Sequence, residues 1–275
     1  MKKTFLLSCL MLAAMPVMAA YTGHVYVDKN KNGVFDQSEK PLAGIKVSDG
    51  LNVVETAADG SFTLPGHERE RFIFITTPSG YKTFNRHYHK IEKKQSGYDF
   101  GLIPYSGRIR KDGSHRYIHI TDTEIFNTEN HADWVNNVHD YARNEQAAFI
   151  IHTGDICYEK GLKAHIKLMN TENMDCPVFY CIGNHDLVKG KYGEELFESI
   201  YGPVYYSFDA GNVHYVVTPM PGGDHAPGYT SDDVCRWLKN DLAHIRPGTP
   251  VVVFNHDLLT YEDTFIFKSK NAGSI

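Results

Sequence analysis

FIIHTGDICY, residues Phe149 to Tyr158, decides how the rest of the chain is read. Three apolar residues run into His152 and Thr153, Gly154 breaks the run, and Asp155 follows at once. A short unbroken apolar run that stops at a turn signal fits a strand buried on both faces. Open α/β sheets place their chemistry beyond the carboxyl ends of such strands. Gly154 has no Cβ, so the backbone can turn sharply there and approach a neighbour closely. Asp155 brings two oxygens, enough to bridge two cations.

Three other stretches repeat the pattern of an apolar run followed by ligand-type residues. YIHITDTE, from Tyr117 to Glu124, offers Asp122 and Glu124. VFYCIGNHD, from Val178 to Asp186, offers Asn184, His185 and Asp186, and VVVFNHD, from Val251 to Asp257, offers His256. Four strand ends that each deliver Asp, Glu, Asn or His make one oxygen- and nitrogen-rich pocket suited to metal. The succession of Asp122-Thr-Glu124, Gly154-Asp155, Gly183-Asn-His-Asp186 and a strand-end His256 resembles the calcineurin-like metallophosphoesterases, from about Arg116 to the end of the chain.

The resemblance implies an αββα sandwich and hydrolysis of phosphomono- or phosphodiesters at a binuclear centre of divalent transition metals (Mn, Fe or Zn). Two cations ~3.5–4 Å apart neutralise the phosphoryl oxygens and lower the pKa of a bridging water, whose hydroxide is the nucleophile. By the same resemblance, Asp155 bridges both metals, Asp122 and Glu124 serve the first, and Asn184 and His256 serve the second. His185 is then no ligand but acts on the phosphate and the leaving oxygen, with Asp186 orienting it through the other ring nitrogen.

Two departures from the family pattern have consequences. Glu124 stands where the family usually has His, a harder ligand that shifts preference from zinc towards manganese, iron or magnesium. The family also uses a later Gly-His-x-His, one His for each metal. After His256 the chain reads DLLTYEDTFIFKSKNAGSI, without a histidine. The expectation is therefore of a truncated domain over residues 105–275, with an exposed sheet edge, an incomplete metal site and a missing C-terminal domain.

Around these strand ends the pattern alternates strand and helix. Helical spacing is expected over Glu129 to Glu145, Gly161 to Met169 and Tyr192 to Ile200, and a further helix starts at Thr230, an N-cap with Asp233 three residues on. Val204 to Phe208 and Val213 to Thr218 read as strands turned at Ala210-Gly211. His119, His152 and His214 lie within strands and are expected to pack rather than ligate, whereas His225, in the loop PGGDHAPG, is within reach of substrate.

Residues 21–104 read differently. Asp28, Asn30, Asn32, Gly33, Asp36 and Glu39 fit the calcium loop of EF-hands, with Asp36 ninth and Glu39 twelfth. The flanks alternate like strands, so an EF-hand-like loop between strands is expected to hold Ca²⁺. Asp49-Gly50 and Asp59-Gly60 mark turns between short strands, which suggests a small all-β Ig-like or transthyretin-like sandwich. The loop-and-strand pattern resembles the small N-terminal domain of some exported metallophosphoesterases. His87, Tyr88 and His89 lack a carboxylate pattern and read as surface or interface residues.

The first 20 residues, MKKTFLLSCLMLAAMPVMAA, have the basic start, apolar run and small-residue end of a secretory signal peptide. Export to the periplasm or beyond is expected, without a transmembrane segment after cleavage. Leu6 to Cys9 resembles a lipoprotein box, but the apolar run before it is short. Of the 5 cysteines, Cys9 leaves with the signal. Cys157, Cys176, Cys181 and Cys235 read as buried free thiols, since Cys176 and Cys181 flank one strand and, at ~3.3 Å per residue, lie too far apart to bridge. A net charge of -5 leaves no basic footprint for nucleic acid. A small phosphorylated substrate is the expected partner. The competing reading is a non-catalytic secreted module, calcium-stabilised, that binds phosphorylated or glycan ligands.

Overall fold

The computed structural model describes residues 20–95, 97–105 and 108–257. The expected signal sequence with Cys9 and the tail 258–275 lie outside them. Nine strands form the N-terminal region: β1 (Tyr21–Val27), β2 (Lys40–Pro41), β3 (Lys46–Ser48), β4 (Val53–Glu55), β5 (Ser61–Leu64), β6 (Phe72–Ile75), β7 (Tyr81–Thr83), β8 (Tyr88–Lys90) and β9 (Phe100–Pro104). They make two sheets, β2-β1-β9-β7 with β5 also on β1, and β4-β3-β6-β8. Between them lies an apolar core that includes Val25, Val47, Leu64, Ile73, Ile75 and Leu102.

The remaining chain alternates as expected: β10 (Tyr117–Ile120), α1 (His131–Asn144), β11 (Phe149–His152), α2 (Tyr158–Leu168), β12 (Val178–Tyr180), α3 (Glu195–Tyr201), β13 (Tyr206–Ala210), β14 (Val213–Val217), α4 (Ser231–Ala243) and β15 (Val251–Phe254). Thr230 caps α4, its hydroxyl accepting from Asp233 N–H, with Asp233 bonding back to Thr230 N–H. β10, β11 and β12 pair in parallel, which aligns their carboxyl ends. β13 and β14 form an antiparallel hairpin and β15 adds in parallel to β14.

Strand alternation sorts the side chains into layers. Ile150, Val178 and Tyr180 face α1, α2 and α3 through Val135, Leu162 and Phe197. Phe149, Ile151 and Phe179 face the second sheet, where Phe179 stacks on Phe208 at 3.6 Å and Phe149 meets Tyr215 edge-on at 4.9 Å. Fully burying a Phe side chain contributes about 1.5–3 kcal/mol, so these rings hold the two sheets together. On the outer face of the second sheet, Asp241 of α4 bonds Ser207 at 2.8 Å and His214 at 2.7 Å. The order is helices, sheet, sheet, helix, as expected. Among the described residues β10 and β15 are edge strands, with Tyr117, Val251 and Val253 exposed.

The N-terminal region packs on this body through β6, whose four residues FIFI are all buried. Ile73 and Ile75 enter the sandwich core, while Phe72 and Phe74 turn outward and Phe74 meets Trp237 of α4. Thr77 pairs with Phe208 beside β13. Arg71 reaches across to the buried Glu194 and Glu198 at 2.8 and 2.9 Å. His87 packs against Tyr206, and His214 is held between Asp209 and Asp241, as an interface residue and a structural one. Cys157, Cys176, Cys181 and Cys235 are free thiols, the first three buried.

Candidate metal centre

The donors lie where the strands end. Beyond β10 the chain turns through Asp122 and Glu124, both left-handed at φ 52° and 41°. Beyond β11 it turns through Gly154 at 100° and Asp155 at 52°. Left-handed residues other than Gly cost roughly 1–3 kcal/mol each and persist only where neighbours hold them. Here a backbone ladder does so: Asp122 N–H donates to Gly154 O at 3.0 Å, Glu124 N–H to Asp155 O at 2.9 Å, and Ile125 N–H to Ile156 O at 2.8 Å.

The third loop presses on the second. A Cβ at Gly154 would lie 2.4 Å from Gly183 N, and one at Gly183 would lie 2.2 Å from Asp155 N. Both glycines are therefore required by the same contact, backbone against backbone, which brings Asn184 and His185 up to Asp155. His185 N–H donates to Asp155 Oδ1 at 3.0 Å.

Two donor groups result. One atom each of Asp122, Asp155 and His256 lie within 4.8 Å of one another, and so do one each of Glu124, Asp155 and His185. Asn184 joins the first group, its Oδ1 3.2 Å from His256 Nε2, which is itself 3.4 Å from Asp155 Oδ2. Asp155 belongs to both. The grouping differs from the sequence expectation: Asp122 groups with His256 and Glu124 with His185.

Charge shapes the pocket. Burial pushes the Asp155 carboxyl up, but hydrogen bonds from His256 and the His185 amide outweigh it and leave the carboxyl below its ordinary value. Burial alone would push His256 down, yet Asp155 lifts it to about 9. His256 Nδ1–H donates to Thr153 O at 2.8 Å, which turns Nε2 into the pocket. Metal-ligating histidines are oriented by such a bond. Three carboxylates, an amide oxygen and an oriented imidazole are a donor set that suits a divalent cation.

Asp186 does not do what was expected of it. Its side chain folds back over the short turn Asn184–Asp186 and accepts from Gly183 N–H at 3.0 Å and Cys157 N–H at 2.9 Å. It ties the two loops together, and burial lifts its carboxyl to about 6. The partner of His185 is Asp224, whose Oδ2 is 2.9 Å from Nδ1 and whose hydrogen bond is the main cause of the raised pKa of His185. Sequence reasoning stopped one residue short, at His225, because nothing local links this loop to His185.

His119 and His152 brace the donors without joining them. His119 Nε2 is 2.8 Å from Thr153 Oγ1. His152 Nδ1 accepts from Gly154 N–H at 3.1 Å, so its proton is on Nε2 and donates to Thr123 Oγ1 at 3.0 Å, between Asp122 and Glu124. Burial holds His152 well below its ordinary pKa and therefore neutral. Burial also pushes the Cys157 thiol up to about 12, so it is no nucleophile.

The EF-hand-like loop connects β1 to β2, strands as expected. Asp28 and Glu39 are buried within it. Asp28 accepts from Asn32 and Gly33 N–H at 3.2 and 2.9 Å, and Glu39 from Lys29 and Asp36 N–H at 2.8 and 3.2 Å. Asn30 and Asn32 both bond Asp36. A further group, Asp49, His67 and Glu70, also lies within 4.8 Å. Asp49 accepts from Leu51 and Asn52 N–H, and Glu70 from the Tyr21 hydroxyl and His67 N–H.

A family model described as calcineurin-like phosphoesterase matches residues 115–270. A second, described as the N terminal of calcineurin-like phosphoesterase, matches residues 29–104. No curated protein matches the chain.

Proposed function

Since the chain belongs to the calcineurin-like phosphoesterases, a family of metal-dependent phosphoester hydrolases, we propose that it cleaves small phosphomono- or phosphodiesters at the pocket around Asp155. The observation that carries this reading is the sharing of Asp155 between two donor groups. Divalent cations bound there supply neutralisation of the phosphoryl oxygens and a water acidic enough to ionise near neutral pH.

The chain's own residues do the rest. Asp122, Asn184 and His256 complete one side of the Asp155 carboxylate and Glu124 the other. His185 gives a proton to the leaving oxygen from Nε2, with Nδ1 held by Asp224. Asp186, His119 and His152 keep the loops in register. Glu124 favours manganese or iron over zinc. The basic and apolar first residues support export; among the described residues no helix is long and apolar enough to cross a membrane. The buried carboxylates of Asp28 and Glu39 support Ca²⁺ in the N-terminal loop, with Asn30, Asn32 and Asp36 beside them.

The test is hydrolysis of 4-nitrophenyl phosphate and bis(4-nitrophenyl) phosphate by chelator-treated protein given Mn²⁺. Activity that depends on Mn²⁺ and disappears in Asp155→Asn supports the reading. Mn²⁺ binding without hydrolysis of either ester would favour the non-catalytic module.

A further inference from the structure

A cavity of about 550 Å³ opens beside the metal pocket. Tyr158 and Asp224 line it, and both touch His185: Asp224 through the 2.9 Å hydrogen bond, Tyr158 with its ring 5.7 Å from the imidazole. The group that would protonate the leaving oxygen therefore adjoins two residues of its wall. We propose that this cavity receives the leaving group, and that it selects phosphoesters whose leaving portion carries an apolar or ring-shaped body and a second negative charge. The inference rests on the phosphoesterase reading of the Asp155 site and adds a substrate class to it.

The walls supply the first half of that preference. Leu187, Val188 and Leu196 line the cavity. Tyr158 adds an aromatic face, 42% exposed and tilted against the exposed Phe126 at 5.9 Å. Tyr158 is held at φ 46°, next to Cys157 at 83°. Strained, non-glycine backbone that presents an exposed ring beside a reactive centre is the kind of feature that clusters at ligand sites.

Charge supplies the second half. Three carboxylates line the cavity: Glu159 pairs with Lys163 and Glu195 with Lys191, and Asp224 is engaged in its hydrogen bond with His185. Lys90 and Lys189 also line it, both exposed, and neither ammonium makes an ion pair among the described residues. Two ammonium groups without an ion pair, one of them also in the field of Glu195 and Glu198, thus face the side where the leaving group departs. Lys90 ends β8, so the N-terminal region contributes to substrate choice rather than only to stability.

The probes are benzylphosphonate and 4-carboxybenzylphosphonate, which share a ring and a non-hydrolysable phosphoryl group and differ in the second charge. Their affinities are measured by calorimetry on the full chain with Mn²⁺. Exposed ion pairs typically give ~1.5- to 5-fold each, so the carboxylated probe should bind about three- to tenfold more tightly. The double variant Lys90→Ala, Lys189→Ala should lose that preference and keep its affinity for benzylphosphonate. Equal affinities in the wild type, or a preference that survives in the double variant, would overturn the proposal while Mn²⁺-dependent hydrolysis leaves the phosphoesterase reading intact. Absence of binding by both probes together with absence of hydrolysis would overturn both.

Discussion

Gly183→Ala tests whether the centre is assembled by backbone contact between loops. Gly183 has an ordinary extended backbone, φ -98°, so conformational strain plays no part. The obstacle is space: an added Cβ would lie 2.2 Å from both Asp155 N and Asp155 Oδ1, whereas ordinary contact starts at 3.4 Å. Asp155 N is backbone, and Asp155 Oδ1 is tied by the His185 amide, so a loop must move by more than an ångström. Overpacking of this kind costs about 1–3 kcal/mol. The shift also breaks the hydrogen bond from His185 N–H to Asp155, and bonds to charged groups contribute about 1.5–3 kcal/mol. The expected loss is roughly 3–6 kcal/mol, a large part of the ~5–15 kcal/mol that holds a typical domain. Urea unfolding of wild type, Gly183→Ala and Gly222→Ala measures it. Gly222 has nothing within 4 Å of an added Cβ and serves as control, expected within ~0.5 kcal/mol of wild type. Mn²⁺ affinity should fall with Gly183→Ala, since Asp155 is displaced. If Gly183→Ala unfolds like the control and binds Mn²⁺ like the wild type, the contact does not organise the site.

Burial holds Glu198 at about 7 against 4.5 for the free side chain, despite Arg71. A carboxyl raised in the fold binds more protons folded than unfolded, so its stabilising contribution is full below about 4.5 and is lost as pH rises through 7; urea unfolding at pH 5 and pH 8 should show a smaller difference in Glu198→Gln than in wild type, and an identical difference would contradict this. His185→Ala should lower turnover by ~10²–10⁴-fold with Mn²⁺ affinity nearly unchanged, and Asp224→Ala should lower kcat more than it alters KM. Metal loss in His185→Ala as large as in Asp155→Ala would make His185 a ligand. Ca²⁺ should raise the melting temperature relative to chelator by mass action, and Asp28→Ala should abolish the response; equal melting of the wild type in both conditions would remove Ca²⁺ from the loop.

Much of this centre is legible because parallel strands align their ends. Once Phe149 to Tyr158 is read as a buried strand with Asp155 beyond it, the stretches ending in Asp122 and Asn184 fall into the same row, and the stretch ending in His256 reaches the pocket from the second sheet. The cap at Thr230, the strands that flank the Asp28–Glu39 loop and the unpaired cysteines are local properties, and local signals suffice for them. The direction of a side chain after a turn is not local. Asp122 and Glu124 fall into different donor groups, and Asp186 folds back on Gly183 instead of reaching His185. Asp224 enters from a loop 39 residues away, on a path set by the packing of α3 and the β13–β14 hairpin. The two-sided burial of β6 was likewise hidden, since FIFI reads as any buried strand and gives no hint that one face belongs to Trp237.

The claim on which the rest depends is that Asp155 is common to every cation the pocket holds. Calorimetric titration of Mn²⁺ into wild type, Glu124→Ala and Asp155→Ala tests it most directly. Glu124→Ala should weaken part of the binding, because Asp122, Asn184 and His256 remain. Asp155→Ala should remove all of it. Binding by Asp155→Ala that matches Glu124→Ala would contradict the account, and would mean that the two donor groups do not meet at this carboxylate.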